Sequence, residues 1–170
     1  ANLQDLLMYV LKGISIFALK EKETDPRVNS FINHAIFTTI TNANFDSRRF
    51  VALIREGLAL RDELKKKQGT DVAGLHDSAT WYSDDETEFH KKAAEVGVLS
   101  TKDEDVRSLR ELLVYGLKGI AAYEQHAEML GKTDEKISRF VIDALASTTR
   151  DLSVDEMVGM VMKAGETAVS

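Results

Sequence analysis

The chain has 170 residues, 44% of them hydrophobic, and its 22 basic and 28 acidic side chains give a formal net charge of −6. That length makes one ordinary domain or two small ones with enough apolar residues for a packed core, while basic residues scattered among acidic ones leave no electrostatic footprint for nucleic acid. Cysteine is absent, which excludes disulfides, thiolate zinc sites, cysteine-ligated iron–sulfur clusters and a cysteine nucleophile within these residues.

The first predicted element follows from Leu3, Leu6, Leu7, Val10, Leu11, Ile14 and Phe17, which fall on one helical stripe. Its longest mostly apolar run, Leu6 to Ala18, is interrupted by Lys12 and is far shorter than the roughly 20 residues that span a bilayer. No basic segment precedes it, so neither a membrane anchor nor a signal peptide is expected. A second helix is predicted from Asp25, a cap residue, and Pro26 at the first helical position. Val28, Phe31, Ile32, Ala35, Ile36 and Thr39 form its stripe.

The polar junction TNANFDSRRF (41–50) offers Asn42, Asn44 and Asp46 as turn and cap residues before a third helix marked by Phe50, Leu53, Ile54 and Gly57. The stretch from 68 to 83 carries turn formers and no period, so it is predicted as a loop, with Trp81 pinning it to a bundle. A Ser83-x-x-Glu86 capping box then predicts a short helix over 84–97.

From Thr101-x-x-Glu104, a further capping box, the chain repeats itself. LLVYGLKGIAAY at 112–123 matches LLMYVLKGISIF at 6–17 in seven of twelve positions. Leu109, Leu112, Leu113, Gly116, Leu117, Ile120 and Tyr123 reproduce the first stripe. Ile137, Phe140, Val141, Ala144, Leu145 and Thr148 reproduce the second, and Val158, Val161, Met162 and Gly165 the third, after a Ser153-x-x-Glu156 box. Short connections force antiparallel neighbours. The expected fold is therefore all-α: two up-and-down three-helix bundles related by internal duplication, spanning 1–70 and 101–170, joined by a linker at 71–100. Whether the copies trade helices is not decided by the pattern.

Each copy places a glycine in mid-helix. Tyr9, Gly13 and Phe17 make one i, i+4, i+8 column, and Tyr115, Gly119 and Tyr123 make its counterpart. Both glycines are expected to sit in a slot at a close helix–helix approach. Lys12 and Lys118 are expected on the opposite, solvated face.

Motifs for chemistry are sparse. No glutamate has a histidine three residues on, as a di-iron carboxylate bundle requires. His34, His76, His90 and His126 lie on separate segments without an HExxH pair. Glu86 and His90 read as a solvated i, i+4 pair, and His126 as a packed histidine, with the lining of a passage in a larger protein as its functional alternative. Thr38, Thr39, Ser147, Thr148 and Thr149 read as hydroxyls bonded to carbonyls one turn back. No phosphate loop, Ser-His-Asp order or paired catalytic carboxylates are discernible. No catalytic, cofactor-binding or metal residue is assigned.

The phrases ANLQDLLMYVLKGIS, TITNANFDSRRF, EDVRSLRELLVYGLKGIAAYEQHAEMLG and ALASTTRDLSVDEMVGMVMKAGETAV resemble, in collinear order, the N-terminal helical domain of the hybrid cluster protein family, also called the prismane or hydroxylamine reductase family. The resemblance implies two crossed three-helix bundles, like the helical domain of nickel carbon monoxide dehydrogenases. It implies a cytoplasmic parent enzyme reducing hydroxylamine to ammonia, with nitric oxide reduction or S-nitrosylation as variants.

The parent's cofactors would be a [4Fe–4S] or [2Fe–2S] cluster held by cysteines before Ala1 and a hybrid iron–sulfur–oxygen cluster held beyond Ser170. His126 and the glutamates here match family positions that are not ligands. The expectation is a colourless, inactive scaffold that covers the α/β cluster domains and helps wall a substrate route. Its partners would be those domains and the parent's redox partner, and its uncovered apolar face would promote self-association. A free-standing helical interaction module is the competing reading.

Overall fold

The computed structural model describes residues 2–41, 47–97, 103–132, 134–150 and 152–169. Among them are seven α-helices: α1 (Asn2–Ala18), α2 (Pro26–Thr41), α3 (Ser47–Gln68), α4 (Glu86–Val96), α5 (Glu104–Met129), α6 (Glu135–Ser147) and α7 (Val154–Val169), with one 3₁₀ turn at Asp77–Ala79 and no strand. The all-α expectation holds.

Helix starts follow cap chemistry. The Asp25 carboxylate accepts from the Arg27 amide, and Ser153 and Glu156 exchange the two hydrogen bonds of a capping box at 3.2 and 3.3 Å. Two caps differ from the sequence reading. Asp85, not Ser83, caps α4 by accepting from the Thr87 amide, so the short helix covers 86–96; Ser83 instead accepts from the Asp85 amide. Asp103 caps α5 through the amides of Asp105 and Val106, while Thr101, Asn42, Asn44 and Asp46 lie outside the described residues. In both places a carboxylate two residues from the anticipated cap wins the amides.

The helices pack across the copies. α1 packs along α3 and α5 along α7, but α6 lies against α1 and α2 against α5, so the middle helices are exchanged. Equivalent residues tie the two exchanges. Arg139 on α6 donates to the carbonyls of Ala18 (3.2 Å) and Leu19 (2.7 Å) at the C-terminal end of α1 and to the Thr24 hydroxyl. Ser30, which takes Arg139's place in the first copy, donates from α2 to Glu128 on the last turn of α5 at 2.7 Å.

This arrangement makes α1 the central helix. α3, α4, α6 and the 3₁₀ turn all pack on it, and Leu3, Leu6, Leu7, Met8, Val10, Leu11, Ile14, Phe17 and Ala18 are all buried. A helix apolar around most of its circumference belongs in the interior. α7 is the opposite case. Among its described side chains Met157 and Ala164 are buried, with Met160 and Val161 packed beside them, while Val158 and Met162 are exposed. The contact face is thus rotated by one residue from the predicted Val158, Val161, Met162 and Gly165, because α7 carries apolar side chains on two adjacent faces and periodicity alone does not choose between them.

With that rotation the two helix pairs make the same close contact in reverse. A Cβ built on Gly57 of α3 would stand 2.7 Å from Val10 Cγ1 of α1, and one built on Gly116 of α5 would stand 3.3 Å from Ala164 Cβ of α7. Gly116 occupies the place of Val10, so the smaller residue has changed sides. The core carries hydroxyls as well. Thr38, Thr39, Ser147, Thr148 and Thr149 each donate to a carbonyl three or four residues back, at 2.6–2.8 Å, as expected.

Candidate functional site at the junction of the copies

The expected slots for the two glycines come out unequal. Gly13 does meet a close approach, but of loop rather than helix: a Cβ there would collide with the Ser78 carbonyl oxygen. Gly119 has open space, and its flanking Tyr115 and Tyr123 are 76% and 65% exposed. The second column is therefore unpacked: among the described residues no segment overlies it as 76–81 overlies α1.

Arg61 holds that segment down. Its side chain is 1% exposed and donates to the carbonyls of Ser78 (3.1 Å) and Trp81 (2.5 Å), while its Nε and Nη2 donate to Asp62 at 3.0 and 2.8 Å. A buried guanidinium needs this many acceptors to offset its desolvation. The sequence reading missed it, since an arginine among polar neighbours on α3 carries no signal of burial. Trp81 lies as expected, tilted against Phe89 with ring centroids 6.2 Å apart and capped by Lys92 at 5.7 Å.

Beside this loop, Tyr9 donates to Asp77 at 2.5 Å, Lys92 pairs with the same carboxylate at 2.7 Å, and His76 stacks obliquely on Tyr9 at 5.7 Å. The Lys92 and Tyr9 hydrogen bonds hold the Asp77 carboxyl below its ordinary range. Burial and the Asp77 bond push the Tyr9 hydroxyl upward. Burial and the nearby Lys12 charge lower His76.

Tyr9 and His76 border a cavity of about 430 Å³ between α1, α4, α5 and the loop, within the size range of small-ligand pockets. Much of its lining consists of equivalent positions from the two copies: Asp5 with Glu111, Met8 with Val114, Tyr9 with Tyr115, and Lys12 with Lys118. Lys12 and Lys118 therefore do not share a solvated face; both turn into this cavity. The face of α1 opposite its stripe lines this cavity together with the linker and α5, because the copies are folded onto each other. Burial, with the Arg110 charge nearby, lowers the Lys12 amine to about 8, against the pull of Asp5. Asp5 is raised by burial, with Lys118 and Lys12 opposing.

The histidines stay apart. His76 borders the cavity, His34 lies in a groove with Arg27 and Glu63, and His90 and His126 are exposed. Among the described residues no group of three or more histidine, aspartate or glutamate side chains gathers to hold a metal ion. No helix among them is long and apolar enough to cross a membrane.

A duplicated helical array with exchanged middle helices and this sequence pattern has a family. The profile of the Prismane/CO dehydrogenase family matches residues 1–170, and the chain belongs to that family. It is 56% identical over 177 residues to a hydroxylamine reductase of Desulfitobacterium hafniense, covering 99% of this chain and 32% of that protein. Hydroxylamine reductases of Nitratidesulfovibrio vulgaris (53% over 182 residues, 100% of this chain, 33% of that protein) and Clostridium novyi (50% over 176 residues, 99% and 32%) are similar to it along the same stretch. The chain thus spans about a third of the length of these relatives.

Proposed function

We propose that this chain is the helical scaffold domain of a hydroxylamine reductase-type iron–sulfur oxidoreductase, one that reduces hydroxylamine to ammonia in the cytoplasm. The observation that carries the reading is the similarity of 99–100% of the chain to about one third of proteins named for that activity. The clusters belong to other parts of such an enzyme. The donor set here does not fit an iron–sulfur cluster, because the chain has no cysteine and iron in such clusters is held by thiolates.

What the chain supplies instead is a preformed apolar framework. α5 and α7 each leave a stripe uncovered: Leu112, Tyr115 and Tyr123 on one, Val154, Val158 and Met162 on the other. Contiguous apolar surface of this kind marks a face that another domain covers. The α/β cluster domains of the full enzyme are that cover, and the isolated chain is catalytically inactive.

Domain exchange tests this. The 170-residue segment replaces the matching third of the Desulfitobacterium enzyme, and hydroxylamine-dependent oxidation of a reduced dye is followed. Retention of turnover within about tenfold of the parent is expected. A chimera that folds and carries its full complement of iron yet has no turnover would overturn the proposal.

A further inference from the structure

The cavity at the junction of the copies has a feature that a scaffold does not require. Three cations face it without an ion pair: Lys12, Lys118 and Arg110 have no carboxylate within 4 Å among the described residues, whereas the other lysines and arginines of this region, Lys92 and Arg107, are paired with Asp77, Glu95 and Glu104. Arg110 Nε is buried with no hydrogen-bond partner. A buried guanidinium N–H left unsatisfied is costly, and native structures rarely leave one so.

Lys12 is half-buried, and its neighbours press on it: Arg110 disfavours its charge and Asp5 supports it only through space. Of the carboxylates that line the cavity, Glu95 is engaged with Lys92 at 3.6 Å, and Asp5 makes no ion pair with Lys12, Lys118 or Arg110. Glu111 is exposed at the edge. The interior is therefore cationic, although the chain as a whole carries −6.

We propose that this cavity is a binding site for a small oxyanion, phosphate or carboxylate, held by Lys12, Lys118 and the free edge of Arg110. A guanidinium presents paired N–H donors to two oxygens of such a group, and the lysines add point charges from the two copies of one helix. The apolar walls from Met8 and Val114 make room for the small organic body that bears the anion.

The test uses the 170-residue chain with two probes in separate titrations, inorganic phosphate and succinate, followed by calorimetry and by the carbon-13 shift of the lysine ε-methylenes. Saturable binding of phosphate assigns the tetrahedral class and of succinate the carboxylate class. In either case the Lys12 midpoint, now at about 8, moves upward on saturation, because a bound anion favours the ammonium. Lys12→Met and, independently, Arg110→Gln weaken the binding by about tenfold or more. Lys66→Gln, a change on the exposed side of α3, leaves it unchanged. Absence of saturation with both probes by about 10 mM, or affinity that folded Lys12→Met and Arg110→Gln variants retain in full, would overturn the assignment.

Discussion

Gly13 and Gly119 hold the same place in a repeated phrase yet carry different loads. At Gly13 the added methyl of alanine meets a carbonyl oxygen of a loop that Arg61 anchors, so neither side yields cheaply. Gly13→Ala is expected to destabilise the chain by about 2 kcal/mol, in the range for overpacked sites, despite alanine's better helix propensity. At Gly119 nothing lies within contact distance, and the same change recovers up to about 1 kcal/mol of propensity. Urea denaturation of the two variants side by side measures both signs, and equal shifts in one direction would contradict the assignment of the Ser78 approach. The sequence showed that glycine recurs in the column; it could not show which copy is overlaid, because the overlying residues 76–81 carry no period.

At the scale of elements, the loop between α3 and α4 is held by side chains rather than by backbone pairing. Its carbonyls at 78 and 81 end on Arg61, its 3₁₀ turn is started by the His76 ring accepting from the Ser78 amide at 3.2 Å, and Asp77 is clamped by Tyr9 and Lys92. Replacing Arg61 with methionine keeps most of the volume but leaves two buried carbonyls without donors. A loss of about 2–4 kcal/mol follows, together with a red shift of Trp81 emission as the ring leaves Phe89. An unshifted emission spectrum with unchanged stability would show that the loop is held by other contacts. The helices themselves were legible, since each stripe of α1, α2, α3 and α6 that the periodicity marks is largely buried. α7 was legible as a helix but not in its rotation. Val158 and Met162 look as good a core stripe as Met157 and Val161, and only the close contact of Ala164 with Gly116 decides between them.

For the whole molecule, the exchange of middle helices determines how the copies depend on each other. Repetition in sequence suggests two units that each fold alone, and nothing in a hydrophobic pattern says which partner a stripe will find. In the structure α1 packs one face on α6 and α5 packs one on α2, beside their contacts with α3 and α7, so each copy contributes to its partner's core. The cavity lined by Lys12 and Lys118 exists only because of this folding together, and for the same reason it was not visible as a motif: its residues come from matching positions a hundred residues apart. A chain cut in the linker should then behave unlike a pair of independent bundles. Fragments 1–97 and 98–170, expressed separately, each leave a stripe without its partner helix, and short helices lacking tertiary packing are marginal in water. Each fragment alone is expected to show reduced helical circular dichroism and a melting midpoint well below that of the intact chain. Mixing them at equal concentration should restore the helical signal and a single transition whose midpoint rises with concentration, as association coupled to folding requires. If either fragment melts cooperatively by itself at a midpoint close to that of the intact chain, the exchanged helices are not what holds the copies together.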